Sequence, residues 1–159
     1  MNFRVIGVLA VVAMLGACAD KAATSGAATG SGAAASTAGV TPGSQADLVA
    51  NVGDRVFYAL DSSSLSGDAR STLDRQAGWL SRYPQSSVQM AGNCDERGTT
   101  EYNLALGQRR ANAARDYLVA RGTSSARITA VSYGKERPTA LGSDEQAYSQ
   151  NRNATMSVR

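Results

Sequence analysis

The sequence predicts an α/β (α+β) sandwich, a mixed four-stranded sheet with helices packed on one face. Three observations lead there. After Gln45 a leader and a run of small residues give way to segments with a period of two or of about 3.6 residues. Their order is strand, helix, strand, helix, strand, turn, strand, which sets helices against a sheet. The remaining stretch of roughly 110 residues suffices for one modest core.

The elements follow in order. Residues 55–60 read as a strand, with Val56 and Tyr58 opposite Phe57 and with Leu60 disturbing the alternation. A polar loop, Asp61-Ser62-Ser63-Ser64, comes next. Ser66 is placed to cap a helix running to about Arg82, and Pro84 supports its ending. Ala69, Leu73, Ala77 and Leu80 form the apolar stripe of that helix, and Trp79 and Tyr83 read as packing residues. Residues 87–92 make a short strand with Val88 and Met90 on one face. A second helix starts near Thr100 and stops before Gly122, with Leu106, Ala113 and Tyr117 on its buried side. Residues 127–133 form a third strand and residues 145–149 a helical turn. In the last strand, residues 154–158, Ala154, Met156 and Val158 alternate with Thr155 and Ser157.

Residues 1–17 read as an export signal. Arg4 supplies the positive flank, residues 5–15 an apolar run, and small residues precede Cys18. The run is shorter than the roughly 20 apolar residues of a permanent membrane helix. The ending Leu15-Gly16-Ala17-Cys18 resembles a bacterial lipobox, which implies a diacylglycerol thioether on Cys18, cleavage, and acylation of the new amino terminus. An ordinary secretory leader cut near Ala17 is the alternative. Several acyl chains on one residue anchor stably, whereas one alone binds marginally. Ala19 follows the cysteine and Asp20 comes one position later, so resemblance to lipoprotein sorting rules implies an outer-membrane destination. Residues 18–46 are then the lipidated cysteine and a tether of Ala, Gly, Ser and Thr, which buries too little apolar surface to offset ordering entropy. Its coil dimension is roughly 30 Å and its extended reach roughly 90 Å. The folded module is residues 47–159.

Composition narrows the function. The formal charge of +3 falls to +2 once Arg4 is set aside with the leader, and no basic stripe stands out, which argues against nucleic-acid binding. The chain has no histidine, so most metal sites and nucleophile–base pairs lose their usual participant. No cofactor is indicated. The two cysteines have separate contexts: Cys18 ends the leader, and Cys94 reads as a small, partly buried thiol.

Chemistry concentrates between Gly92 and Ala111. A loop acid, Asp95, precedes a helix on which Asn103, Gly107 and Arg110 share a face by their spacing of four and three. Arg110 has the fork that grips a carboxylate through two parallel hydrogen bonds, and Asp95 can accept from an ammonium group. Together they can hold a zwitterion. The competing reading pairs Asp95 with Arg110 directly. Gly107 costs a helix interior about 1 kcal/mol relative to alanine, so it either leaves room for a ligand or permits close packing on the sheet. Arg152, just before the last strand, reads as a structural ion pair or as a rim residue on the same ligand.

Asp95-Glu96-Arg97-Gly98-Thr99, Tyr102-Asn103, Arg109-Arg110-Ala111-Asn112-Ala113 and Ser132-Tyr133-Gly134-Lys135-Glu136-Arg137-Pro138 resemble the peptidoglycan-associated lipoproteins of the Tol–Pal system, an OmpA-like family. The similarity covers roughly residues 55–158, with lipobox and tether placed as in that family. It implies a β/α sandwich that binds the diaminopimelate-containing peptide stem of peptidoglycan without covalent chemistry. By that resemblance Asp95 meets the diaminopimelate ammonium and Arg110 its carboxylate. Arg97 and Asn103 match neighbouring pocket positions, Arg152 the arginine near the last strand, and Asp61 a first-loop position giving backbone contacts. The resemblance also implies the TolB propeller as a second partner. The family usually has Glu-Gly-His where this chain has Ala91-Gly92-Asn93, glutamate at Gln108 and arginine at Asn153. Two other functions compete with this wall-binding link: a structural lipoprotein with impaired wall binding, and a peptidoglycan hydrolase. The second lacks a separated acid pair, since Asp95 and Glu96 are adjacent.

Overall fold

Four strands, β1 (Arg55–Phe57), β2 (Val88–Asn93), β3 (Ile128–Gly134) and β4 (Asn153–Val158), form one sheet in the order β1-β4-β2-β3. The structure is a computed structural model describing residues 40–159, and the leader, Cys18 and tether residues 19–39 lie outside the described residues. β2 and β3 are parallel, and β4 runs antiparallel to both β1 and β2. The four helices are α1 (Gln45–Asn51), α2 (Gly67–Arg82), α3 (Thr100–Ala120) and α4 (Glu145–Asn151). This is the α/β (α+β) architecture the periodicity predicts.

The inward face of the sheet supplies Val56, Val88, Met90, Ile128, Ala154 and Met156 to a single core, closed from above by Leu73, Trp79 and Leu80 of α2 and Ala111, Ala114 and Leu118 of α3. The helix ends match their sequence signals. Ser66 caps α2 by accepting from the Ala69 amide at 3.1 Å. At the other end of α2, the Arg127 guanidinium donates to the carbonyls of Leu80 and Tyr83 at 3.1 and 2.8 Å, satisfying terminal acceptors. α3 ends where Gly122, at φ +96°, lets Thr123 and Gly122 donate back to Leu118 and Val119.

Four expectations shift. β1 ends at Phe57, because the chain leaves the sheet at Tyr58 to build a loop over the core. β3 begins after a short 3₁₀ turn, Ser125–Arg127, which takes up the arginine. The buried stripe of α3 continues through Ala111, Ala114 and Leu118, with Ala113 and Tyr117 only half-buried beside it. Asn103, Gly107 and Arg110 open that stripe, so the polar and apolar parts of α3 share one face.

The fourth is α1, which begins within the stretch assigned to the tether. Seven residues with few large apolar side chains leave little periodicity to read. It is held instead by polar bonds. Gln45 accepts from the Val158 amide at 2.7 Å and donates to the Met156 carbonyl at 3.3 Å, standing in for a strand where β1 runs out beside β4. Asp47 accepts from the Gly43 amide, the Trp79 indole and the Asn51 amide at 2.8, 2.9 and 2.7 Å.

Gly92 and Gly107 bring α3 onto the sheet. A Cβ on Gly92 would lie 1.8 Å from the Gly107 carbonyl oxygen, and one on Gly107 would lie 2.3 Å from Ser132 Oγ. Gly107 therefore serves close packing, and the space beside Asn103 and Arg110 has another origin. Just beyond this crossing the β2–β3 register slips, so that Asn93 pairs with Gly134 and Cys94 donates to the Gly134 carbonyl at 2.8 Å. That slip ends the sheet and launches the loop carrying Asp95.

The Asp47 bonds yield a pH prediction. The Gly43 amide, with Trp79 and Asn51, draws its carboxyl from 3.8 down to about 2. Its folded pKa lies below its unfolded one, so its stabilisation is complete above the unfolded value and lost as pH falls through about 2. Chemical unfolding from about pH 5 to about pH 2 should show the wild type converging on Asp47→Asn as acid is added. A stability difference independent of pH would contradict the assignment.

Candidate functional site

Three chain segments converge over the C-terminal end of β2. They are the loop after β1, the loop after β2, and the first turns of α3, with Arg152 entering from the junction of α4 and β4. They enclose a cavity of about 280 Å³. All six residues expected at a site, Asp61, Asp95, Arg97, Asn103, Arg110 and Arg152, line it, together with Leu60, Tyr102 and Leu106.

Arg110 organises the cavity. Its side chain is 0% exposed. Nε donates to the Ser62 carbonyl at 2.8 Å, Nη2 to the Ala59 carbonyl at 3.1 Å, and Nη1 to the Asn93 carbonyl at 2.8 Å and to Cys94 Sγ at 3.3 Å. The fork expected to clasp a ligand carboxylate in parallel is therefore largely spent on backbone. Of five N–H groups, four are committed and one on Nη2 is left. Burial lowers the Arg110 pKa, yet an arginine stays charged. Among the described residues it makes no ion pair, so the cavity wall carries an unneutralised cation.

Asp95 sits opposite in character. It is buried, and the direct pair with Arg110 does not form. Oδ1 accepts from the Arg97 amide and Nε at 3.2 and 3.3 Å, and Oδ2 accepts from Arg97 Nη2 at 2.6 Å and Arg152 Nη1 at 3.2 Å. Burial pushes its carboxyl up, but the bonds from Arg97 and Arg152 together outweigh that and hold it below 3.8. Asp95 is a carboxylate at neutral pH.

The remaining residues fix these two. Asn103 donates to the Arg97 and Thr99 carbonyls at 2.7 and 3.1 Å, clamping the loop onto the start of α3. Lys135, in a stretch that reads as a solvated turn, donates to the Gly98 carbonyl at 2.8 Å and braces the same loop. Asp61 takes φ +51° and accepts from the Tyr102 hydroxyl, closing the cavity's outer side. Arg152 is buried, donates to the Tyr58 carbonyl at 3.2 Å and pairs with both Asp95 and Glu145. It fulfils the ion-pair reading while lining the cavity. Burial pushes the Cys94 thiol up from 9.0, keeping it protonated between the two charges.

Three contributors escaped the sequence reading. Tyr58 passes for a strand residue, yet its hydroxyl donates to the Arg110 carbonyl at 2.9 Å and its ring centre lies 5.3 Å from that guanidinium. Glu145 and Tyr148, three apart on α4, hold the outer side of Arg97: the guanidinium lies 4.4 Å from the Tyr148 ring centre and 3.6 Å from Glu145 Oε2. Their spacing on one helical face is the only signal, and an exposed turn offers it often.

The four departures from the family pattern lie off the cavity. Asn93 Nδ2 donates to Asn153 Oδ1 at 2.8 Å, so two of the altered positions bond each other. Gln108 bonds Asn112 along α3 at 3.1 Å. Asn93 reaches the site through its backbone carbonyl alone.

Residues 57–152 match the OmpA family. A peptidoglycan-associated lipoprotein of Rhizobium meliloti is 51% identical over 146 residues, covering 92% of this chain and 82% of the relative. One of the same name from Mesorhizobium japonicum is 50% identical over 161 residues, covering 99% and 92%. The crystal structure of the peptidoglycan-associated lipoprotein from Burkholderia pseudomallei is similar with a TM-score of 0.65 at 44% identity, over 67% of this chain and 90% of that one.

Removing the two arginines should separate their roles. Arg110→Met removes the donor from the Ala59, Ser62 and Asn93 carbonyls, the last of them buried, and should cost about 3 kcal/mol by urea unfolding. Arg97→Ala, at a side chain 39% exposed, should cost far less. Equal losses would contradict the view of Arg110 as a structural cation.

Proposed function

The chain belongs to the OmpA family, among its peptidoglycan-associated lipoproteins, and we propose that its cavity holds the ammonium and carboxylate of diaminopimelate in the peptide stem of peptidoglycan. One observation carries the reading. In a single cavity a buried carboxylate, Asp95, accompanies a buried guanidinium, Arg110, that has no acid of its own among the described residues. A ligand bringing both charges offers Arg110 an anion and Asp95 a cation in a site of low dielectric.

Binding without turnover fits the acids. A glycosidase needs one protonated carboxyl across the bond from an ionised one. Asp95 is held ionised by arginines, and neighbouring Glu96 is an exposed residue bonded to the Tyr148 hydroxyl. Neither is poised as an acid.

In the cell the proposed role is a non-covalent link between outer membrane and wall. Lipidated Cys18 anchors in the outer membrane and the tether between it and α1 provides reach, with the domain facing the periplasm. Each grip on the wall is weak alone, and many anchored copies on one polymer give avidity. Resemblance to the Tol–Pal system adds the TolB propeller as a second partner, coupling the link to envelope constriction in division.

Sedimentation of the detergent-solubilised protein with purified diaminopimelate-type peptidoglycan tests this reading. The wild type should co-sediment without releasing fragments. Asp95→Ala should weaken retention by roughly tenfold to a hundredfold, the worth of a lost charge-assisted bond. Equal retention would remove the acid from the site, no retention of the wild type would contradict wall binding, and soluble fragments would indicate a hydrolase.

A further inference from the structure

Asp95 has no acceptor site to spare. A carboxylate offers about four lone-pair positions, and here four donors occupy them: the Arg97 amide, two nitrogens of the Arg97 guanidinium, and Arg152 Nη1. A ligand ammonium can reach Asp95 only by displacing one of them. The two arginines are unequal in this respect. Arg152 is buried and its guanidinium also bonds the Tyr58 carbonyl and Glu145, so moving it would strand an interior carbonyl. Arg97 is 39% exposed, leans on the Tyr148 ring, and lies 3.6 Å from Glu145 Oε2, a carboxylate 65% exposed. It can leave Asp95 and keep both a ring and an acid.

We infer that Arg97 is the specificity-determining residue of the cavity, occupying Asp95 as an internal stand-in for the ligand's ammonium and swinging out to meet the ligand's carboxylate when the ammonium arrives. The inference rests on the diaminopimelate reading of the cavity and adds how the selection is made. A ligand with a cation alone must evict Arg97 and gives it nothing in return. One with an anion alone leaves the Asp95–Arg97 pair closed and meets the single free N–H of Arg110. A zwitterion exchanges one ion pair for two. The carboxylate then bridges the released Arg97 and that remaining N–H, while Glu145 holds Arg97 near the rim.

Such an exchange leaves Asp95 paired at every stage, with Arg152 in place throughout. It also makes Arg97 oppose the binding of simple amines. A residue that merely touched the ligand would instead favour everything that binds.

Calorimetric titration with two stem peptides tests the inference: one carrying diaminopimelate, the other lysine, which has the ammonium but not the adjacent carboxylate. The wild type should prefer the diaminopimelate peptide by roughly tenfold or more. In Arg97→Ala the lysine peptide should bind several-fold tighter than to wild type, and the preference should fall to about threefold or less. Glu145→Gln should weaken the diaminopimelate peptide several-fold with little effect on the melting temperature. If Arg97→Ala weakens both peptides alike, or leaves both unchanged, Arg97 is an ordinary contact and the exchange is overturned. A wild type that binds neither peptide would instead overturn the diaminopimelate reading, and the exchange with it.

Discussion

The buried guanidinium of Arg110, bonded to the backbone of the loop after β1 and of the end of β2, is the constraint on which the rest of the site depends. Taking such a cation out of water costs several kcal/mol unless its donors are met. Here the Ala59 and Ser62 carbonyls come from the loop after β1 and the Asn93 carbonyl from the end of β2. The charge therefore ties together segments far apart in sequence, and the loops in turn fix the guanidinium. Tyr58 completes the arrangement, with its hydroxyl on the Arg110 carbonyl and its own carbonyl on Arg152. One arginine shapes the cavity, and the other two attend to Asp95.

That division of labour explains why the cavity lies at the end of the sheet. The Gly92–Gly107 contact presses α3 onto β2, so Asn103 and Arg110, one turn to either side, are carried to the strand's end. The register slip at Asn93 and Gly134 then turns the chain upward and delivers Asp95 beside them. Lys135 and Asn103 hold the loop by its carbonyls without using the charges of the site.

Much of this was legible in the residues, for identifiable reasons. α2, α3 and three of the strands announce themselves through period and caps, since Ser66, Pro84 and Gly122 act within a turn of where they stand. The six expected site residues meet in one cavity because they lie on a helical face, in the loop that precedes it, or at strand ends brought to the same edge. What could not be read depends on long-range partners. α1 is fixed by Gln45 and Asp47 reaching β4 and Trp79, bonds no local pattern encodes. The choice between a direct Asp95–Arg110 pair and separate roles turns on Arg97 and Arg152, and sequence spacing carries no information about that competition. Gly107 shows the same limit, because its neighbour Ser132 is supplied by another strand.

The central claim is that a zwitterionic ligand occupies this cavity in exchange for an internal ion pair. An experimental structure of the protein with a diaminopimelate stem peptide tests it most directly. The ligand ammonium should lie within about 3 Å of Asp95, with Arg97 turned away from that carboxylate and the ligand carboxylate beside Arg110. A peptide bound outside the cavity, or one bound within it while the Asp95–Arg97 pair stays closed, would contradict the account.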